Sequence, residues 1–212
     1  LVNALAQDEE DAIWIGTTEG LTRYCQRKGT FTPFALNLNK KQHGSSALPN
    51  IQALYLDNQS RLWVGTYEHG LFLITKEGGQ YQQQNFSSIN SSLPGNHVTT
   101  FTQTRDGRLL IGTNHGLAVA DKQRNTLHDF PNADLNDAFI LTICETMEGD
   151  LWVGTFNGLW VFNALNGRNE WFQHNPAKPN SLSHNRVNKI VQDFKGSIYV
   201  GTLGGVDVFH PQ

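Results

Sequence analysis

Eight histidines are scattered through the 212-residue chain, at positions 43, 69, 97, 115, 128, 174, 184 and 210. A zinc site needs ligands at close, regular spacing, and these residues show none, so they read as solvated loop and strand positions and no metal is expected. Serines cluster at Ser45-Ser46, Ser87-Ser88 and Ser91-Ser92, without the G-x-S-x-G elbow that exposes a nucleophile. Turn chemistry accounts for them. The acidic run Asp8-Glu9-Glu10-Asp11 offers paired carboxylates, but glycoside hydrolysis needs a second carboxylate across a cleft, and the run falls between two apolar stretches as a hairpin turn. Four Gly-Thr-x-x-Gly segments, and a fifth copy one residue longer, resemble phosphate cradles, yet a phosphate loop requires a helix N-terminus behind it and an apolar strand follows instead. No catalytic residue and no cofactor is assigned.

Those Gly-Thr segments define the architecture. They read IWIGTTEGL at 13–21, LWVGTYEHGL at 62–71, LLIGTNHGL at 109–117, LWVGTFNGLWVF at 151–162 and IYVGTLGGVDVF at 198–209. Glycines 16, 65, 112, 154 and 201 recur at intervals of 49, 47, 42 and 47 residues, the period of a β-propeller blade. Upstream of each lies a short alternating run (VNALAQD, IQALYLD, VTTFTQT, ILTICET, VNKIVQD), with apolar residues at every second position, for example Ile51, Ala53, Tyr55 or Val187 and Val191 with Lys189 between them as an exception. Period-two alternation predicts a strand. Asn58-Gln59-Ser60, Asp106-Gly107, Glu148-Gly149 and Lys195-Gly196 mark hairpins between the two runs. A fourth strand is predicted at 30–35, 80–86, 126–130 and 169–174.

The second glycine of each segment (Gly20, Gly70, Gly116, Gly158, Gly205) is expected at φ > 0 in the turn. The first sits mid-strand, where glycine weakens a sheet. Its recurrence predicts close approach of a neighbouring blade or of an aromatic ring, for which Trp14, Trp63, Trp152 and Tyr199 are placed two residues earlier. Leu110 stands there in the third unit, which should pack less bulk. No segment carries an uninterrupted helical stripe, and the reading is all-β: a β-propeller of four-stranded antiparallel blades.

The region 1–212 reads as one propeller region with units 1–49, 50–96, 97–138, 139–185 and 186–212, the last lacking its outer strand. Five units are expected to be part of a larger, seven-bladed propeller. The formal charge of −3 comes without a basic stripe, which argues against nucleic acid, and no apolar run approaches a membrane span. Cys25 and Cys144 fall at different places in different units and are expected to be unpaired.

The string Asn180-Ser181-Leu182-Ser183-His184-Asn185-Arg186-Val187, followed by Gln192-Asp193-Phe194-Lys195-Gly196 and Ile198-Tyr199-Val200-Gly201-Thr202, resembles the two-component regulator propeller repeat. Ser91-Ser92-Leu93-Pro94-Gly95-Asn96-His97-Val98 repeats its first part, and Ser46-Ala47-Leu48-Pro49-Asn50-Ile51 does so more loosely. The resemblance implies the periplasmic or otherwise extracytoplasmic sensor region of an inner-membrane receptor. It further implies a histidine kinase or diguanylate cyclase output elsewhere in the chain, a receptor homodimer, and oligosaccharides among the inducing ligands.

Within a constant frame, the residues between Thr and Gly vary, and in a propeller such turns share one face with the inter-blade loops. Tyr67, Glu68, His69, Asn114, His115, Phe156 and Asn157 are therefore the candidate ligand-binding residues, offering rings and hydrogen-bonding groups suited to a sugar. Loops 40–46 and 175–180 are expected to add to that face. The leading expectation is a non-catalytic ligand-sensing module. A structural or protein-interaction scaffold and a propeller lyase or hydrolase are the alternatives.

Overall fold

The computed structural model describes residues 1–38, 48–121 and 126–210. Among them run nineteen strands and a single 3₁₀ turn, Ala133–Leu135. The first sheet holds β1 (Val2–Gln7), β2 (Ala12–Thr17), β3 (Gly20–Cys25) and β4 (Thr30–Phe34). The second holds β5 (Ile51–Leu56), β6 (Leu62–Thr66), β7 (Leu71–Glu77) and β8 (Gln80–Phe86). The third holds β9 (Val98–Gln103), β10 (Leu109–Thr113), β11 (Gly116–Ala120) and β12 (Leu127–Asp129). The fourth holds β13 (Ile140–Glu145), β14 (Leu151–Thr155), β15 (Gly158–Phe162) and β16 (Asn169–Phe172). The fifth has three strands among the described residues, β17 (Val187–Gln192), β18 (Ile198–Thr202) and β19 (Val206–Phe209).

In every sheet each strand neighbours the next in sequence, the antiparallel meander of a propeller blade. The chain divides into two compact units, 1–100 and 101–212, with the division inside β9. In the first unit Trp14, Leu21, Ile51, Leu62, Val64 and Phe72 make one core between two blades. Trp14 is met edge-on by Phe34 and by Tyr81, at 5.0 and 5.6 Å. In the second unit one cluster gathers Leu110, Leu117, Ile140 and Val153, another Trp152, Leu159, Val187 and Val200. The lighter Leu110 is compensated by Phe130 and Phe162, which pack against its cluster. Cys25 and Cys144 are both free.

The mid-strand glycine answers to the neighbouring blade, not to a ring. A Cβ on Gly16 would lie 2.6 Å from Ile51 Cγ2, and one on Gly65 would lie 2.7 Å from Val98 Cγ1. On Gly154 it would lie 2.5 Å from Val187 Cγ1. A β-branched residue at the start of the following blade fills the space that the glycine leaves. The turn glycines Gly20, Gly70, Gly116, Gly158 and Gly205 all have positive φ, as their place in the turn requires.

Simple alternation fails in the innermost strands. Register shifts lie between Val2 and Ala4, Ile51 and Ala53, Ile140 and Thr142, and Val187 and Lys189. Two residues there oppose one on the partner strand, which turns the following side chains to the other face. In β17 the buried residues are accordingly Val187 and Ile190, whereas Val191 is 47% exposed.

The hairpin joining the first two strands is organised by its opening residue. Asp8, Asp57 and Asp193 each accept the amides two and four residues ahead. Each also accepts the polar hydrogen of the strand aromatic: Trp14 Nε1 at 3.1 Å, Trp63 Nε1 at 2.9 Å and the Tyr199 hydroxyl at 3.2 Å. The acidic run at 8–11 thus works as a hairpin clamp. The fourth blade has Thr146 in that place, and the buried Trp152 Nε1 has no acceptor among the described residues.

Candidate functional site

The frame that holds the variable turns is built by the threonine of Gly-Thr. Its hydroxyl donates to the carbonyl of the turn glycine, in Thr17→Gly20, Thr66→Gly70, Thr113→Gly116, Thr155→Gly158 and Thr202→Gly205, at 2.8–3.2 Å. The same oxygen accepts a turn amide from Glu19, His69, His115, Asn157 or Gly204. Thr66 and Thr113 are fully buried and Thr155 nearly so. The residues between Thr and Gly can therefore change without altering the turn.

A second fastening comes from the asparagine of the repeat. The carbonyls of Asn96 and Asn185 accept the amides of Gly70 and Gly158, the turn glycines of the preceding blades. Their side-chain oxygens accept from Ser88 and His174, just past the preceding outer strands. One residue thus ties an inner turn and an outer strand end of one blade to the start of the next.

In the first unit Tyr67 is 46% exposed, its amide donates to the Asn50 carbonyl, and its ring lies 4.4 Å from that of His97. Burial pushes the His97 imidazole below its ordinary value. Asn50 Oδ1 accepts from Asn3 and Gln52, and Asn3 reaches on to the Ile51 carbonyl, leaving an amide cluster at the head of the inner strands. Glu68 is exposed, and the His69 carbonyl accepts from Asn85 Nδ2.

In the second unit Asn114 is half-buried and His115 is exposed, with its Nδ1 3.5 Å from Asp137. Phe156 is 39% exposed; its ring lies 4.3 Å from Phe139 and carries the Arg186 guanidinium at 4.5 Å. The Asn157 carbonyl accepts the Trp171 indole N–H at 3.0 Å, and its side-chain oxygen accepts from Gln173. Phe139, Phe156, Asn157, Trp160 and Trp171 line a cavity of about 680 Å³, together with the connector that carries Asp134, Asn136 and Asp137.

Of the candidate residues, Phe156 and Asn157 share that cavity, Asn114 and His115 stand on the preceding turn, and Tyr67, Glu68 and His69 belong to the first unit. The sequence reading missed Asn50, His97, Phe139 and Arg186. All four immediately precede the first apolar residue of an inner strand, a variable place in the repeat that pairs with the variable turn. Trp160 and Trp171 were also missed, because each reads as an ordinary strand aromatic. The 175–180 loop closes on itself through Asn175 and Ser181, while the 40–46 loop lies outside the described residues. Among the described residues no group of three or more His, Cys, Asp or Glu is placed to hold a metal. No helix there is long and apolar enough to cross a membrane.

Residues 46–68, 92–115 and 134–157 match the family model described as two component regulator propeller. No curated protein matches the chain. Among solved structures, the extracellular domain of a hybrid two component system from B. thetaiotaomicron is similar over 98% of this chain and 27% of its own length, with 22% identity and a TM-score of 0.77. A second such domain from the same organism shows 23% identity and a TM-score of 0.59, over 98% of this chain and 33% of that one. Virginiamycin B lyase from Staphylococcus aureus shows 12% identity and a TM-score of 0.62, over 99% of this chain and 69% of its own. The chain thus spans about a third or less of the two extracellular domains. At these identities the likeness is one of fold.

Proposed function

We propose that this chain, three segments of which match the two component regulator propeller model, is a non-catalytic ligand-sensing module in the extracytoplasmic part of a bacterial signalling receptor. Its ligand is an oligosaccharide. The observation that carries the reading is the Thr–Gly–Asn frame, which holds the turns in constant geometry while presenting different exposed groups in each blade. Those groups are rings and amides, with Phe156 and Asn157 brought to one cavity. Rings and amides that converge on a rigid frame are the composition of a small-molecule recognition site. The hairpin carboxylates Asp8, Asp57 and Asp193 are committed to backbone amides and aromatic donors, which supports binding over acid–base chemistry.

The mechanism is differential affinity. A ligand that prefers one arrangement of the propeller and the receptor dimer shifts the equilibrium of an output domain carried elsewhere in the receptor chain. The test is a thermal-shift and calorimetric screen of the 212-residue chain against oligosaccharides of varied linkage. A ligand at 100 times its dissociation constant should stabilise the chain by about 2.7 kcal/mol. Absence of any shift across the panel refutes oligosaccharide sensing by this module.

A further inference from the structure

The outer strands of the fourth blade hold two tryptophans in an unusual setting. Trp160 of β15 and Trp171 of β16 are cross-strand partners, with rings 5.3 Å apart and only 4° from parallel. Trp171 is nevertheless 47% exposed, although its area would make it a strong contributor to a core. Its indole N–H is spent locally, on the Asn157 carbonyl of the neighbouring turn. Gly158 makes that reach possible: at φ +112, a Cβ there would stand 2.7 Å from Trp171 Nε1. The ring is thus held in place against Trp160 rather than left to find its own rotamer, and holding a contact group in its bound geometry lowers the cost of binding.

Part of the lining is polar. Asp134, Asn136 and Asp137 on the connector and Asn157 on the turn add acceptors and amide donors to the same cavity. Among the described residues no lysine or arginine lines the cavity. The Arg186 guanidinium lies over the Phe156 ring and donates to Asn188, and His115 Nδ1 lies 3.5 Å from Asp137. At about 680 Å³ the space is in the range of small-molecule sites. Aromatic planes suit the C–H faces of a sugar ring, amides and carboxylates suit its hydroxyls, and the carboxylates of Asp134 and Asp137 repel an acidic substituent.

We infer that this cavity is a saccharide subsite selective for uncharged pyranose units over uronic acids, with Trp171 as the stacking platform and Asp134 and Asp137 as the charge filter. The inference rests on the ligand-sensing reading and adds the place and the charge selectivity. It is tested by calorimetry and tryptophan fluorescence on the 212-residue chain, with neutral oligosaccharides and uronic-acid oligosaccharides of matching length. Neutral oligosaccharides should bind and quench or shift the tryptophan emission. Trp171→Ala should weaken them by roughly tenfold or more, the scale of a lost aromatic contact plus its buried area, while Phe194→Ala, at an exposed ring outside the cavity lining, leaves affinity unchanged. The pair Asp134→Asn with Asp137→Asn acts on exposed side chains and keeps a residue type tolerant of the positive φ at 137. It tests the charge filter without touching the core, and should raise affinity for the acidic oligosaccharides several-fold. If Trp171→Ala retains full affinity while Tyr67→Ala loses it, the subsite is elsewhere and the sensing reading survives. Wild-type preference for uronic acids overturns the charge filter, and no binding of either class overturns both proposals.

Discussion

Replacing Asp57 by alanine attacks the hairpin clamp where it is most deeply buried. The carboxylate is 6% exposed and accepts four hydrogen bonds: from the amides of Gln59 and Arg61 at 2.9 and 3.0 Å, from Arg61 Nε at 2.7 Å and from Trp63 Nε1 at 2.9 Å. Trp63 is fully buried, so its N–H would have no route to water, and Arg61, only 12% exposed, would lose its counter-charge. Breaking a buried pair from one side costs roughly 3–5 kcal/mol; of this, the stranded indole accounts for about 1–3 kcal/mol. We expect Asp57→Ala to lose about 4 kcal/mol in urea unfolding at pH 7, followed by circular dichroism with the m-value checked for constancy. In a Trp63→Phe background the loss should shrink by about 1–3 kcal/mol, since no indole N–H is left to strand. The fourth blade provides the reciprocal experiment, because Thr146 stands in the clamp position and Trp152 Nε1 has no acceptor among the described residues. Thr146→Asn should stabilise by about 1 kcal/mol, whereas Thr146→Asp should not, since Asp150 occupies the place that Arg61 holds in the second blade. A loss below about 1 kcal/mol for Asp57→Ala, or one indifferent to Trp63→Phe, would refute the clamp argument.

Other outcomes follow from the same geometry. Gly65→Ala places a Cβ 2.7 Å from Val98 Cγ1 and 3.2 Å from the Val98 carbonyl, and should cost about 1–3 kcal/mol by overpacking in the same unfolding assay. Gly149→Ala meets only an ordinary contact with Ala164, and its positive φ alone should cost about 1–2 kcal/mol. Thr66→Val keeps the shape of the side chain but removes both turn hydrogen bonds at a fully buried site; an expected loss of about 1–3 kcal/mol should come with faster amide exchange at His69. His97 is held below its ordinary value of 6.5 by burial, so the unfolded chain binds the proton more readily. Its contribution is full above pH 6.5 and is lost as pH falls through the lowered value. Stability should drop between pH 7.5 and 5, less so in His97→Gln; equal pH dependence in the two proteins would exclude this role.

Much of the blade was legible in residue order. Alternation marked the strands, and Glu148-Gly149 and Lys195-Gly196 located hairpins whose glycines do take positive φ. The Gly-Thr copies set the period. The same reasoning erred in β17, where Val191 was paired in phase with Val187. A bulge has no residue-type signature, since any residue can be the extra one, and a single inserted position reverses every side chain beyond it. It also attributed no role to the threonine, whose hydroxyl acts only once the turn glycine has brought its own carbonyl within reach.

The candidate site was partly legible for a related reason. Variation within a constant frame pointed to Phe156 and Asn157, but their companions come from other parts of the repeat. Phe139 stands at the head of an inner strand, Trp160 on the third strand and Trp171 on the fourth. Short-range quantities, namely side-chain periodicity, turn dihedrals and the spacing of the repeat, are properties of neighbouring residues and are written in the order of the chain. Which glycine meets Val98, which tryptophan lacks an acceptor and which rings border one cavity depend on strand register and on blade packing against blade. Those distances are set by contacts between residues dozens of positions apart, so they exist only in the folded molecule.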